Sequence, residues 1–542
     1  MTSLPALRAP TADGALLAVP PLDEAGALLT SNLRARTHFD RPLLDTSWPE
    51  VRLLARRELL AAAARYTQPT ASPSRDLDRP LLLAGHQPEL FHPGVWLKNF
   101  ALAVLARRLN ATSVNLIIDS DTVKSTAVML PMRGSPWPRL QPVLFDRPAG
   151  EIPWEVYRLQ EPDLFASFPD RILTPLAEWG IHPLLPQFWR TVEAELTRRD
   201  GIVGESFAAA RRSVEMAWGC RNLEVPLSHL CQGQAFPYLV GAILADLPRF
   251  VACYNGIVQE HRRRRRIRST HHPVPDLAIR GDWLELPLWG WSETRRRRGR
   301  LFARSAGACI ELQADNELWP ALPSPVTAPE AFRAAWQQLE PAGFKARSRA
   351  LLTTTFARTL LGDLFLHGIG GGKYDELTDA LLARFWEVPP PAFMVVSATC
   401  LLPLPTFSAT ASDCDRLART LRDLHYNPQR HLSATEGAPG PLQHQKEAWI
   451  HRTPDSPTER RERFSRLRHF SDQLRPFVAE QITQTRQLLE ETTREVAANA
   501  VLRRRDYAFC LFPEARLRPF LSRVLGTKSG REESLDSSRA SE

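Results

Sequence analysis

Within about forty residues, Leu81 to Asp121, the chain passes through a short apolar run, a loop punctuated by glycine and proline, a helix and a second apolar run. Leu81-Leu82-Leu83-Ala84 has the character of a buried strand, and Gly85 to Gly94 is the loop. Val95, Phe100, Leu102, Leu105 and Leu109 are among the apolar positions of the helix, and Ser113 to Ile118 ends at Asp119-Ser120-Asp121. Strand, loop, helix, strand is a βαβ unit, which commits the chain to a parallel sheet with a right-handed crossover. The pattern returns later. Asp363 to Leu366 is a short apolar segment, His367-Gly368-Ile369-Gly370-Gly371-Gly372 is a turn, and Lys373-Tyr374-Asp375 opens a helix with Leu377, Leu381 and Leu382 on one face. Phe393 to Ala398 is a further strand. The expected class is α/β.

At 542 residues the chain has three to four times the usual domain length of ~150 residues. Residues 1–78 read as an N-terminal leader and a helix (Trp48 to Tyr66), ending in the Pro/Ser-rich stretch Gln68 to Asp78. Residues 79–440 form the core with inserted helical and β segments. Pro186 to Leu244 looks helical with breaks at Gly201, Pro226 and Pro237, and Arg249 to Arg266 is another helix. Asp282 to Gly290, Arg300 to Arg304 and Ala308 to Leu312 read as strands, the first two a hairpin. Residues 441–525 are a helical hairpin arm, polar and interrupted at Pro476, with sparse apolar residues such as Phe477, Ile482 and Val496. Residues 526–542 are charged and serine-rich, and are expected to be disordered.

A composition of 43% hydrophobic and 24% charged residues is that of a chain that buries a sizeable core. Apolar runs such as Phe100 to Ala106 stop at charges, here Arg107, well short of the ~20 residues that span a bilayer. The first twenty residues lack a basic n-region and carry prolines. No membrane association is expected, and the location read from this is cytoplasmic. The seven cysteines are scattered with no C-x-x-C pair, which excludes the common zinc-ribbon spacings and fits a reducing compartment; no metal is expected. A net charge of +9 invites a nucleic-acid reading, yet 63 of the 69 basic residues are arginine, as a GC-rich gene would write them. The runs Arg262 to Arg266 and Arg295 to Arg298 could bind phosphate backbones. Equally, the first caps the C-terminal end of a helix and the second lies in a hairpin loop, so nucleic acid is the lesser reading.

Three motifs carry candidate chemistry. The first is Gly85-His86-Gln87-Pro88-Glu89-Leu90-Phe91-His92-Pro93-Gly94, with Lys98 beyond it. A glycine-containing loop at a helix N-terminus offers unpaired N–H groups to an anion. His86 and His92 could transfer protons or clamp a phosphate, or simply cap the loop. The second is Asp119 and Asp121 with Lys124, at the carboxyl end of a strand, where open α/β sheets bind ligands. These carboxylates could hold an amine, a ribose or Mg²⁺, or an aspartate could cap a helix. The third contributes Gly370, Gly371, Gly372, Lys373, Tyr374 and Asp375; its glycines would let backbone approach a ligand, but the spacing is not that of a P-loop. Half of the six lysines fall in these motifs. Thr353-Thr354-Thr355 with Arg358, His271-His272, and the alternating Trp283, Trp289 and Trp291 are weaker candidates with ready structural explanations.

The order of Gly85-His86-Gln87-Pro88-x-Leu90-Phe91-x-x-Gly94, an acid-bearing strand end, a glycine loop leading into Tyr374, a helical hairpin and Phe512-Pro513-Glu514 resembles the cysteine-adding enzymes (cysteine ligases) of bacillithiol biosynthesis. The resemblance implies a Rossmann-like parallel-sheet core with inserted α+β segments and a C-terminal helical coiled-coil hairpin. It also implies ligase or transferase chemistry that joins a cysteine-like amino acid to a small amine-bearing substrate. Departures accompany it: the family's first loop reads Gly-Gln-Gln, and its second strand ends in an Asp-His-Asp cluster where this chain has Asp119 and Asp121 without the histidine. The expected roles are proton transfer or anion binding for His86 and His92, amine or hydroxyl binding for Asp119 and Asp121, and pocket closure by Gly370 to Lys373. Gly85, Gln87, Gly94, Lys98 and Lys124 would line the site. A nucleotide is the candidate cofactor, a small molecule the partner, and a homodimer through the arm the candidate assembly. A scaffold that has lost its chemistry is the alternative, beside the nucleic-acid reading.

Overall fold

Leucine runs such as Leu81-Leu82-Leu83 have apolar residues at consecutive rather than alternate positions, so both faces of the strand must be covered. The structure, a computed structural model, describes residues 7–67, 77–267, 274–432 and 440–526. The stretch at 68–76, His271-His272 and the tail beyond Gly526 lie outside the described residues. The chain divides into two units, Met1–Leu130 with Pro142–Leu401 and Arg505–Glu542, and Pro131–Gln141 with Leu402–Arg504.

The first unit is mixed α/β. Its strands are β1 (Leu16–Val19), β2 (Leu81–His86), β3 (Thr112–Ile117), β4 (Leu223–Pro226), β5 (Trp283–Ser292), β6 (Gly299–Ala306), β7 (Cys309–Ala314), β8 (Phe344–Ser348), β9 (Leu364–His367) and β10 (Phe393–Ala398). Its principal helices are α1 (Trp48–Thr67), α2 (Pro93–Arg108), α3 (Val203–Ala217), α4 (Leu247–Arg265) and α5 (Ile369–Leu381). One sheet runs β1-β10-β9-β2-β3-β4, with β1 antiparallel to β10 and all other neighbours parallel. In chain order the sheet grows from β2 through β3 to β4, then starts again on the other side of β2 with β9 and β10. Its direction of growth therefore reverses between β2 and β9. A second, antiparallel sheet runs β7-β6-β5-β8.

Leu81, Leu83, Val114, Leu116, Leu223, Val225, Phe365, Phe393 and Val395 share one core with Val51, Ala55, Leu59 and Ala63 of α1 and with Leu377 and Leu381 of α5. The alternate residues Leu82, Ala84, Ile117, Leu366, Met394 and Val396 are equally buried, and α2 packs across β2, β3 and β10. No single helix among the described residues is long and apolar enough to cross a membrane. The helices Phe236–Ala245 and Leu247–Arg265 pass that test only as a pair, bent by 93°, and Phe236, Leu239, Ile243, Phe250 and Val258 are buried in the core.

The element boundaries differ from expectation in four places. The N-terminal 78 residues are not a separate leader, because β1 is the edge strand of the central sheet and α1 packs against β4. The stretch expected to be helical around Pro226 contains β4, four residues long, whose Glu224 is buried and paired with Arg211 at 2.7 Å and Asn115 at 2.8 Å. The helix expected at Lys373 begins at Ile369, so the three glycines form its first turn instead of a loop. The arm expected over 441–525 starts earlier and ends earlier. In the second unit, α6 (Ala411–Tyr426) packs along α9 (Ala479–Leu502), and α7 (Gly440–His451) packs along α8 (Pro457–Leu474). Leu424, Val478 and Ile482 form its small core. Residues after Arg504 belong to the first unit, where Phe509 meets Phe91, Trp96 and Phe188.

The reversal is pinned from below by Asp363, one residue before β9. Its carboxylate accepts from Arg52 at 2.6 Å, Arg56 at 2.7 Å, the backbone N–H of Leu81 at 2.7 Å, and Arg36. Burial pushes this carboxyl up, but Arg52, Arg36 and Arg56 outweigh it and hold the group below its ordinary range. A depressed acid stabilises fully above its unfolded value near 4, and loses that contribution as pH falls through the folded value. Asp363→Ala leaves three guanidinium groups without their carboxylate and is expected to cost about 3–5 kcal/mol in urea denaturation at pH 7. The mutant's stability should also fall less on acidification than that of the wild type.

Candidate functional site

The two strands that flank the reversal both end in histidine, and the two side chains are held by helices packed on the sheet. His86 ends β2, and its Nε2 lies 3.0 Å from Oδ1 of Asn99 on α2. The amide of Asn99 is oriented by Glu215, whose Oε1 accepts from Nδ2 at 2.7 Å, so Nε2–H of His86 donates to Oδ1. Glu215 also accepts from Trp96 at 2.6 Å and from Arg211 at 2.8 Å. His86 Nδ1 lies 3.0 Å from the carbonyl oxygen of Gln87. Both ring nitrogens thus face protein acceptors. Burial, Arg211 and Lys98 together hold the ring well below the usual histidine range. His86 is neutral and fixed.

His367 ends β9 and pairs with Asp375 of α5, Nε2 to Oδ2 at 2.7 Å. Asp375 is in turn bonded by Arg358 at 2.7 Å. Burial raises this carboxyl, but Arg358 and His367 outweigh that and keep it ionised. A Cβ added to Gly371 would sit 2.6 Å from His367 Nδ1, whereas at Gly368 or Gly370 it would meet open space. Sequence reasoning placed His367 in a turn but did not count it among the site residues. The signal was there, in a histidine at a strand end with an aspartate eight residues on, inside the following helix.

At the end of β3, Asp119 is buried and accepts from both the backbone N–H and the hydroxyl of Ser228, just past β4. Burial and the neighbouring Glu155 push its carboxyl up to about 7. Asp121, half-buried, accepts from Gln87 Nε2 at 2.6 Å and from Arg298 at 2.8 Å, which joins the first and second motifs. Glu89 is raised by burial and by Asp121, while Lys124, itself exposed, opposes the shift. Arg298 comes from the β5–β6 hairpin and stacks on Trp289, whose ring also carries Arg349, at 4.0 and 4.5 Å. A further ion-paired group, Arg347 between Glu155 and Glu340, lines a cavity of about 420 Å³ with Cys231, Trp336 and Phe344. A larger cavity of about 700 Å³, lined by Phe100, Arg107, Trp218, Arg518 and Leu525, contains none of the strand-end residues.

Several expected site residues have other work. His92 is the N-cap of α2, its Nδ1 accepting from the backbone N–H of Gly94 at 3.0 Å, and burial and Arg505 push it down to about 4. A capping lone pair is not available as a proton acceptor. Gly94 and Gly372 are packing glycines, because a Cβ would lie 2.1 Å from the carbonyl oxygen of Ala398 and 2.4 Å from Val395. Lys98 lies in α2, as expected, but is not solvated. It is buried, donates to the carbonyl of Gly85 at 2.6 Å, and is lowered to about 8 by burial. Asp375 is buried, and its Oδ2 is taken up by Arg358 and His367 instead of being free for a ligand. Tyr374 packs against the core, and Lys373 is exposed in the second turn of α5. Thr354 bonds Thr378 at 2.8 Å, and Trp283 and Trp291 lie under Arg304 and Arg347.

Within the arginine runs, Arg262 pairs with Asp276, Arg265 with Glu376, Arg297 with Glu151 and Arg298 with Asp121. Among the described residues no cluster of three or more His, Cys, Asp or Glu side chains could hold a metal ion. No protein-family model matches the chain, and no curated protein matches it either.

Two substitutions separate structure from function here. His92→Ala removes the α2 cap and is expected to cost about 1 kcal/mol in chemical denaturation. Asp119 takes up its proton more readily folded than unfolded, so between pH ~4 and its raised value its contribution to stability declines as pH rises. Asp119→Asn should therefore melt close to the wild type at pH 4 and increasingly above it towards pH 8; an unchanged difference between the two pH values would show that the buried carboxylate carries no strain.

Proposed function

We propose that this chain is a Rossmann-like enzyme of the ligase or transferase kind, related to the cysteine-adding enzymes of bacillithiol biosynthesis. It would join a cysteine-like amino acid to a small amine-bearing substrate in the cytoplasm. The observation that carries this reading is the strand order. Counted along the chain, the parallel strands run 3-2-1-4-5, the doubly wound order whose ligands lie outside the carboxyl ends at the reversal. Histidines end both strands there, and the acids of the second motif end the next strand. The helices of the second unit, inserted between β10 and the segment bearing Phe512-Pro513-Glu514, fit the family's coiled-coil arm in chain order. They are the surface through which a homodimer would form.

The roles follow from the chemistry of each group. Asp121 and Glu89, close to each other at the β3 end, form the acidic side that would receive an ammonium. Asp119 holds the end of β3 to Ser228 beneath them. On the other side of the reversal, the N–H groups of Ile369, Gly370 and Gly371 precede the first bond of α5, from Gly372 to Gly368 at 3.0 Å. They would receive a carboxylate or phosphate, and a nucleotide as energy source would bind through them. Lys373, displaced one turn into the helix, would add charge without direct contact.

A thermal-shift panel of amino acids and nucleotides tests the reading. At least one amino acid should raise the melting temperature of the wild type and fail to do so for Asp121→Asn. A panel with no shift from either class would end the enzyme reading.

A further inference from the structure

We propose that His367 is the proton acceptor of the strand-end site and that Asp375 is its positioning residue. The inference rests on the strand-end reading above, and goes beyond it by moving proton transfer from His86 and His92 to a residue on the other side of the reversal.

An ionised carboxylate only accepts hydrogen bonds, so the 2.7 Å contact with Asp375 places the ring proton on Nε2 and leaves the lone pair of the neutral ring on Nδ1. Among the described residues Nδ1 has no hydrogen-bond partner, although the side chain is only 5% exposed. The ring is wedged between Phe365 and Phe393, with centroids at 4.5 and 5.0 Å, so it cannot turn away. The charged groups around it are Asp375, Arg358 and Asp379, and Arg358 bonds both acids at 2.7 and 2.6 Å. Nδ1 is aimed at Gly371, in the first turn of α5, where the unpaired N–H groups would hold an anion. A buried base pointing into an anion-binding turn is the second half of a site.

The ligand class follows: a small molecule with a carboxylate or phosphate seated on that turn and an ammonium or hydroxyl beside it. Nδ1 takes one proton from that group, whose lone pair is freed for attack. The proton on Nε2 stays there, donated in a hydrogen bond to Asp375, and the imidazolium so formed is balanced by the Asp375 carboxylate.

Diethylpyrocarbonate, which acylates an imidazole through its lone-pair nitrogen, probes the arrangement without any ligand. On the folded wild type, peptide mass spectrometry should find His367 modified while His86, whose Nδ1 lone pair is covered by the carbonyl of Gln87 at 3.0 Å, stays unmodified until the protein is denatured. Gly371→Ala places a methyl against Nδ1 and should abolish the modification; Gly370→Ala, one residue away in open space, should leave it intact. Asp375→Asn can return the ring proton to Nδ1 and should slow the reaction, and the two glycine variants keep the test valid if that variant fails to fold. An unreactive His367 in the folded wild type, or equal reactivity in Gly371→Ala and Gly370→Ala, overturns the proposal. Because no ligand is used, failure here is separate from failure of the ligand panel.

Discussion

One buried carboxylate determines whether the central sheet can reverse. Asp363 sits where β9 enters beside β2, and in the same place it binds two arginines of α1, Arg36 from the segment before it, and the first N–H of β2. Arg52 also donates to the carbonyls of Thr359 and Gly362, and Arg36 to that of Gly362, at the end of the helix before β9. The carboxylate thus joins three stretches distant in sequence at the amino edge of the sheet. What happens at the carboxyl edge depends on it: if β2 and β9 were out of register, His86 and His367 would not end neighbouring strands side by side.

This dependence also explains what the sequence could and could not reveal. The βαβ unit from Leu81 was legible because its strands are continuous apolar runs and its helix is long. β10 was legible to the residue for the same reason. β4 was not, because Leu-Glu-Val-Pro carries a glutamate that is tolerated only where Arg211 and Asn115 complete it, and those partners come from α3 and β3. β1 was hidden among the residues of an apparent leader, since an antiparallel edge strand of four residues gains its meaning only from the strand it pairs with. The start of α5 was misplaced because three glycines read as a loop. They are tolerated in a helix here because Gly372 must lie against Val395 and Gly371 against His367. Long-range constraints outweighed local propensity in each case.

The same distinction separates the candidate residues. The loop at Gly85 to Gly94 was recognised as special from its composition, but composition cannot tell a ligand-binding histidine from a capping one. His92 spends its lone pair on α2, and Gly94 is required by the carbonyl of Ala398. Scarcity of lysine was a better guide than its position. Lys98 is buried on a single carbonyl, an unusual place for an ammonium, whereas Lys373 lies in solvent. The arginine runs, read either as a phosphate-binding surface or as ordinary charge, pair in part with acids of the first unit, and Arg298 is part of the strand-end site itself.

The two strand-end histidines are alike in sequence and opposite in state. His86 is surrounded by acceptors, and its neighbours Arg211 and Lys98 oppose any positive charge on the ring. A proton arriving there would have to overcome both burial and like charge. His367 has one acceptor, an ionised one, and a second nitrogen facing a turn where glycine leaves space. Adding a proton to it forms an ion pair with Asp375 in place of an isolated charge, and the low polarity around Phe365 and Phe393 strengthens that pair. The polar network behind His86 joins β2 to α2 and α3, and the one behind His367 joins β9 to α5.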